Sequence, residues 1–432
     1  MSLLTYSDYK DSGIAWLGKI PSHWEICALK RVAALKSGDG ITAEQIREEG
    51  EYPVYGGNGL RGYTSSFTHE GRFALVGRQG ALCGNVNYSD GKFWASEHAV
   101  VAIPVKAAQV TWLGELLRTM NLNQYSVSAA QPGLSVEIIS NLAVPYPPPN
   151  EQSAIAAFLD RETSKIDTLI AEQEKLLTLL AEKRQATISH AVTRGLNPDV
   201  LMKDSGVAWL GEVPAHWKIT RIKRLVASIE QGWSPQCENF PVEGAQEWGV
   251  MKVGCVNGGA FNASENKKLP LELTPIPAYS LRSGDLLISR ANTRELVGSA
   301  AVVPRDFENL LLCDKLYRLR TNLEACMPEF LAAFLSIPAA RAQIKLEATG
   351  ASSSMLNIAQ SVILELSVPL PEITEQSAIK QFINAETNKF DALKSKAEHA
   401  IDLLKERRSA LIAAAVTGKI DVRNAVPEEL AA

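Results

Sequence analysis

Long apolar runs are missing from this chain. None approaches the ~20 residues that span a bilayer, so no membrane contact is expected. The opening, Met1-Ser2-Leu3-Leu4-Thr5-Tyr6, lacks the basic stretch and apolar core of a signal peptide. Cysteine is scarce and scattered. The six residues Cys27, Cys83, Cys237, Cys255, Cys313 and Cys326 form no Cys-x-x-Cys. That argues against a disulfide framework or a zinc site, and for reduced thiols in a cytoplasmic protein. Neither charge sign is in excess: 44 Lys+Arg against 48 Asp+Glu leave a net −4. No broad basic surface is therefore on offer to a polyanion, and any contact with one must be local or shared.

Catalytic signatures are missing too. There is no G-x-x-x-x-G-K-[ST] to cradle a nucleotide and no His-Glu-x-x-His or His/Cys cluster with metal spacing. No Asp/Asn-Pro-Pro-Tyr/Phe run of an amino-methyltransferase occurs; Pro147-Pro148-Pro149-Asn150 has the wrong order. Glu97-His98 with Cys83 nearby would make a thiol catalytic set only with a wider supporting pattern, which is absent. The chain reads as non-catalytic.

Present instead is a duplication. Asn150-Glu151-Gln152-Ser153-Ala154-Ile155 opens one long helical run and Thr374-Glu375-Gln376-Ser377-Ala378-Ile379 another, 224 residues on (Gln376 against Gln152). Apolar residues recur at steps of three and four: Ile155, Leu159, Ile166, Leu169, Leu176, Leu180 and Ile188, then Ile379, Ile383, Phe390, Leu393, Ala400, Leu404, Leu411 and Ile412. That narrow seam is the pattern of a coiled coil. Prolines 145, 147, 148 and 149, and 369 and 371, precede the runs; Asn150 and Thr374 suit N-caps, and Gly195 and Gly418 suit helix ends. Two such helices in one chain most simply pack on each other, antiparallel, about a pseudo-twofold axis.

A second repeat lies outside the helices. Lys10-Asp11-Ser12-Gly13-Ile14-Ala15-Trp16-Leu17-Gly18-Lys19-Ile20-Pro21-Ser22-His23-Trp24 returns as Lys203–Trp217, offset by 193 (Trp209 against Trp16). Half of the eight tryptophans lie in this motif, which marks it as an anchor; His23 and His216 read as structural. The offset grows from 193 to 224, so the second copy carries 31 extra residues between its repeated parts. The stretches between, about 25–149 and 218–373, differ in sequence yet share a layout. Phe73-Ala74-Leu75-Val76-Gly77-Arg78 answers to Asp285-Leu286-Leu287-Ile288-Ser289-Arg290. Val54–Asn58 answers to Cys255–Gly259, and helical pieces follow at 111–122 and 328–335. Short strands punctuated by Gly, Asn and Pro predict α+β domains rich in loops. The expected order is a first variable domain over 1–149, a helix over 150–195, a second domain over 196–373, a helix over 374–421 and a poorly ordered acidic tail over 422–432.

The loops carry side chains suited to base edges. Tyr55, Asn58, Arg61 and Tyr63 share one Gly-rich loop; Arg78 and Gln79 lie in another; Arg290, Asn292, Thr293 and Arg294 lie in the second copy. Arg suits guanine O6/N7 and Asn or Gln suits adenine N6/N7, while tyrosines stack or bond phosphate. Gly57-Asn58-Gly59-Leu60-Arg61-Gly62 matches G-x-G-x-x-G, but no helical pattern follows, so a flexible loop is expected rather than a dinucleotide site.

With both repeats in view, the chain resembles the DNA-sequence specificity (S) subunit of Type I restriction–modification systems. The carriers are the Ser-Gly-x-x-Trp-Leu-Gly-x-x-Pro-x-His-Trp motifs, the Glu-Gln-Ser-Ala-Ile helix starts, Glu182-Lys183-Arg184 with Glu406-Arg407-Arg408, and the Ala-Val-Thr endings at 191–193 and 415–417. The resemblance implies two mixed α/β target-recognition domains separated by two long antiparallel coiled-coil helices, each domain reading half of a bipartite site in double-stranded DNA. It implies no catalysis and no cofactor on this chain. Its partners would be two methyltransferase subunits, which use S-adenosylmethionine to methylate adenine, and restriction (motor/nuclease) subunits. The rival readings are a two-module scaffold on a helical strut that never touches DNA, and a fused methyltransferase, which the missing motifs oppose.

Overall fold

A computed structural model describes residues 4–80, 82–105, 108–126, 133–244, 246–352 and 355–425. The chain divides into two compact units: Met1–Glu174 together with Glu398–Ala432, and Lys175–Ala397. Each long helix is thus shared between units.

In the first unit the tryptophan motif forms an antiparallel hairpin of Tyr9–Asp11 on Lys19–Pro21, and Glu25–Ala28 pairs with Ala143–Tyr146. A four-stranded sheet follows in the order Ala33–Ser37, Ala99–Pro104, Phe73–Gly77, Val86–Ser89. Its central strands bury both faces. Ala74, Val76, Val100 and Ala102 point into the main core with Trp112, Leu113 and Leu116 of the helix Val110–Thr119. The alternate residues, Leu75 and Val101, pack on Phe93 and Ala95 of a second sheet. That sheet runs Gly59–Thr64, Tyr52–Gly56, Lys92–Ala95, His69–Glu70, with Lys92–Ala95 parallel to Tyr52–Gly56. Continuous apolar runs with no polar alternation are what a strand covered on both faces requires.

The second unit repeats this topology with different side chains. Its first sheet runs Val226–Gln231, Leu316–Thr321, Leu286–Ser289, Ala300–Val302, and its second Asn266–Lys268, Gly249–Met251, Phe307–Leu311, Ser280–Leu281. The same alternation holds: Leu286 and Ile288 face the core with Phe330 and Phe334, while Leu287 faces the other sheet. Arg318 sits where the first unit has an apolar residue. Its buried guanidinium is held by Glu230 and by the carbonyls of Ser280 and Ala278. Additions to this unit include the helix Pro338–Leu346 and a small sheet of Ala291–Asn292, Met355–Asn357 and Thr349–Ser352. The expected match of 54–58 with 255–259 holds only for the turns. The strand counterpart is Gly249–Met251, and Val253–Gly259 is a 3-10 turn in which Gly258 and Gly259 take positive φ.

The long helices are Pro149–Arg194 and Ile373–Val416. The first, of 46 residues, is about 69 Å long. Both start before the caps expected at Asn150 and Thr374. Pro149 occupies the first helical position, where its missing N–H costs nothing, and the amides of Glu151 and Gln152 bond the Pro148 carbonyl. Gly195 (φ 75) and Gly418 (φ 72) end the helices as the sequence indicates.

In each unit the helices lie antiparallel and an ion pair ties them: Arg408 Nε donates to Asp167 Oδ1 at 2.8 Å in the first, and Arg184 pairs with Asp391 in the second. The two pairs are equivalent, since both arginines and both aspartates are 224 apart. The seam differs from expectation. Leu169, Leu176 and Leu393 are exposed, and Ile170, Leu177, Ala397 and Ile401 take their places inward. Ten steps along covered positions span the 36 residues from Ile155 to Ala191 (via 159, 162, 166, 170, 173, 177, 180, 184 and 188), or 3.6 per step. A strict 3.5 repeat drifts off such a helix within two heptads.

The tail expectation is corrected over 422–425; residues 426–432 lie outside the described residues. Val422 is fully buried, the Asp421 amide bonds the Leu4 carbonyl, and Arg161 donates to the Ala425 carbonyl at 2.8 Å. A buried valine outweighs a polar, acidic composition.

Candidate nucleic-acid interface

The two sequence repeats meet in space. In the first unit Glu151, on the opening turn of the long helix, is buried and accepts from Trp24 Nε1 at 2.9 Å and from the Tyr6 hydroxyl at 3.1 Å; His23 Nε2 lies 2.6 Å away. Burial and this carboxylate push the Tyr6 phenol well above its ordinary pKa. In the second unit Glu375 accepts from Trp217 Nε1 at 3.0 Å, with His216 Nε2 at 2.9 Å. The neighbouring glutamines do equivalent work. Gln152 Oε1 takes the Gln109 amide, and Gln376 Oε1 takes the Met327 amide, in each case the residue that caps the helix beneath the first sheet. Each repeated Glu-Gln thus locks its motif and its sheet domain to the long helix. His23 and His216 serve this clamp.

The clamp leaves the far turns of each domain to vary. In the first unit, Tyr52–Gly56 and Gly59–Thr64 form a tight hairpin turning at Gly57-Asn58, not a flexible loop. Gly57 presses against the carbonyls of Gln79 and His98, where a Cβ would stand 3.1 and 3.3 Å from them. Gly77 is equally tight, its virtual Cβ being 2.1 Å from the Gly57 carbonyl oxygen. Bare backbone here brings the hairpin against the turn after the central strand. The result is an open cleft of about 500 Å³ lined by Asn58, Leu60, Arg61, Gln79, Leu82 and His98.

Of the residues singled out from sequence, Asn58, Arg61 and Gln79 converge on this cleft. Asn58 Oδ1 accepts from Asn85 Nδ2 at 3.2 Å. Tyr55, Tyr63 and Arg78 are not among its lining residues. Tyr55 packs edge-on to Phe93 and burial raises its pKa; Tyr63 pairs through its backbone with Arg47; Arg78 is half-buried, its backbone pairing with His98 and Leu134. Cys83 is buried and donates to Asn123 Oδ1, so it forms no set with His98.

In the second unit the equivalent turn gathers Arg290, Asn292, Thr293 and Arg294. Arg290 is half-buried, its Nη1 on the Asp314 carbonyl at 3.3 Å. Asn292 is nearly buried, accepting from the Thr293 amide and reaching Asn257 Oδ1 at 3.4 Å. Thr293 and Arg294 are exposed. Again a turn after the central strand meets a Gly-rich turn, here through Asn257. Sequence reasoning missed His98, Leu60 and Leu82 as wall residues of the cleft and Asn257 as the contact of Asn292, because no motif marks them and most of their neighbours lie far along the chain.

Two topologically equal heads clamped in the same way to paired long helices, but presenting unlike polar turns, define a class: a duplicated α+β fold on a helical pair. Residues 21–178 match the family model described as Type I restriction modification DNA specificity domain. The chain is 43% identical over 145 residues to the EcoprrI type I restriction enzyme specificity subunit of Escherichia coli, covering 33% of this chain and 35% of that protein. It is 25% identical over 281 residues to the EcoKI specificity subunit of Escherichia coli strain K12, covering 64% of this chain and 57% of that protein. These matched stretches are about a third and somewhat over half of the two relatives. In fold it is similar to a chain from a structure described as the basis of complex assembly and conformational transition of the type I R-M system. The TM-score is 0.66 at 16% identity, covering 92% of this chain and 98% of that one. The α+β architecture with two long packed helices is therefore a fold that this chain shares with that one.

Proposed function

We propose that this chain is the non-catalytic specificity subunit of a Type I restriction–modification complex, reading a bipartite duplex site with its two sheet domains. The observation that carries this is the pairing of sameness with difference. Sheet order, clamp and helix pairing repeat, whereas the equivalent turns carry Asn58, Arg61, Gln79 and His98 in one unit and Arg290, Asn292, Thr293 and Arg294 in the other. Two unlike sets of hydrogen-bonding groups suit two unlike half-sites.

Partners follow from what the helices leave uncovered. The first unit exposes Leu169 and Leu403, the second Leu176, Leu179 and Leu393. Apolar residues on the outer face of a helix pair suit partner helices. These surfaces receive two methyltransferase subunits, which bring S-adenosylmethionine and the adenine chemistry, with restriction subunits completing the assembly. Charge fits the division of labour: residues 25–149 hold 10 Lys+Arg against 11 Asp+Glu, and residues 218–373 hold 16 against 16, so phosphate contacts are shared with partners. No helix among the described residues is long and apolar enough to cross a membrane.

Mapping methylated adenines in the host genome, with and without this gene, tests the reading. Loss of methylation at one discontinuous sequence supports it; an unchanged methylome refutes it.

A further inference from the structure

The imidazole of His98 stands between two oxygens. Its Nδ1 lies 2.9 Å from Gln79 Oε1 and its Nε2 3.2 Å from Glu97 Oε1. A neutral imidazole has one N–H and can serve only one of them. Glu97 Oε2 is buried with no hydrogen-bond partner among the described residues, while Oε1, the oxygen 3.2 Å from Nε2, belongs to a side chain that is 42% exposed, so solvent can serve Glu97 and leave the ring proton to Gln79. Gln79 is exposed at the cleft wall, free to turn its amide over. With a proton on Nδ1 the ring donates to Oε1, and the Gln79 NH2 faces the cleft. With Nδ1 bare, the NH2 turns inward to donate to it, and the carbonyl faces the cleft. Arg61 also lines this cleft.

The two faces read different base edges. An outward NH2 matches the N7 and O6 acceptors of purines, and guanine best; an outward carbonyl matches the exocyclic amino group of adenine or cytosine. We infer that His98 is a positioning residue whose Nδ1 selects which end of the Gln79 amide the cleft presents, and so which base pair the first unit accepts. This rests on the DNA-reading function proposed above.

The test selects bound duplexes from a randomised library with the full chain in its methyltransferase complex. His98→Lys carries only donors, so it draws Oε1 inward and shifts one base pair of the site toward guanine. His98→Glu carries only acceptors, so it draws the NH2 inward and shifts the same pair toward adenine or cytosine. Gln79→Glu offers only oxygens and reproduces the His98→Glu preference whatever the folding of the His98 variants. Each shift should be about tenfold. Identical preferences in the Lys, Glu and wild-type proteins overturn the inference, as does a shift that persists when Gln79 is replaced by Ala. A wild-type complex that selects no sequence at all instead sinks the DNA-reading function itself, and this inference with it.

Discussion

Replacing Glu151 by Ala separates the two clamps that the repeats build. In the first unit this change strands two buried donors, the Trp24 indole N–H and the Tyr6 hydroxyl, both of which bond only to Glu151 Oε2 among the described residues. A buried donor left without a partner costs about 1–3 kcal/mol, so two cost about 2–6 kcal/mol. His23, whose side chain is 43% exposed, re-solvates and adds little. Glu375→Ala strands one buried donor, the Trp217 indole, because His216 is 51% exposed; about 1–3 kcal/mol is expected. The first substitution should therefore exceed the second by roughly 2 kcal/mol, which is about thirtyfold in an opening equilibrium. Because the chain holds two cooperative units, the assay is native-state hydrogen exchange resolved by peptide rather than a single melting curve. Glu151→Ala should speed exchange across 20–35 and 99–117, Glu375→Ala across 213–226 and 316–335, by those unequal factors. Equal effects, or a larger one at Glu375, would refute the reasoning that counts buried donors.

Arg290→Ala is expected to relax choice at one base pair by ~1–3 kcal/mol, read by competition between duplexes; unchanged selectivity removes Arg290 from the interface. Four residues inserted at Leu177 should alter the unread spacer of the recognised site while the complex still assembles, which methylation mapping reports. Gly418→Ala forces a Cβ to 2.4 Å from Pro21 Cδ on top of a left-handed φ of 72°, whereas Gly206 (φ 70) meets nothing within 4 Å. Both alanines bear the left-handed strain of about 1–2 kcal/mol, and only Gly418→Ala should cost clearly more in denaturant unfolding. The Arg423 guanidinium holds the Asp421 carboxyl below its usual range. A depressed carboxylate contributes stability above its unfolded pKa of about 3.9, lost as pH falls through its lower folded value. Acidification through that window should speed exchange at 421–425, and Asp421→Asn should abolish the pH dependence.

Much of the architecture was legible because the long helices write themselves locally. An apolar rhythm of threes and fours, a proline start and a glycine stop need no distant information, and the duplication located both copies. The register was harder to read. Leu169 and Leu176 look like seam residues on a seven-residue grid, and only the true helical period turns Ile170 and Leu177 inward. Partners across the chain left no local signal: Glu151 and Trp24 are 127 residues apart, and Gln79 and His98 are 19 apart on different strands' ends. Base-reading chemistry could be inferred for Asn58, Arg61 and Gln79 from residue type. Tyr55 could not be told apart from them, since its ring is drawn to Phe93 by a sheet that the sequence shows only as short strands. Likewise an acidic ending concealed the buried Val422.

The last stretch of the chain closes the first unit: Gly418 sits on Pro21 and Trp24, Lys419 Nζ bonds the carbonyls of Leu17 and Lys19, and Val422 fills the core. During synthesis the amino-terminal half therefore leaves the ribosome with its hydrophobic base uncovered. It stays so for the time needed to translate the remaining two hundred or so residues, about 10–40 s at ordinary elongation rates. The half encoded later has all its pieces, 175–397, in hand before then. Maturation should run backwards relative to gene order, with chaperones engaging the front of a nascent chain whose rear has already set.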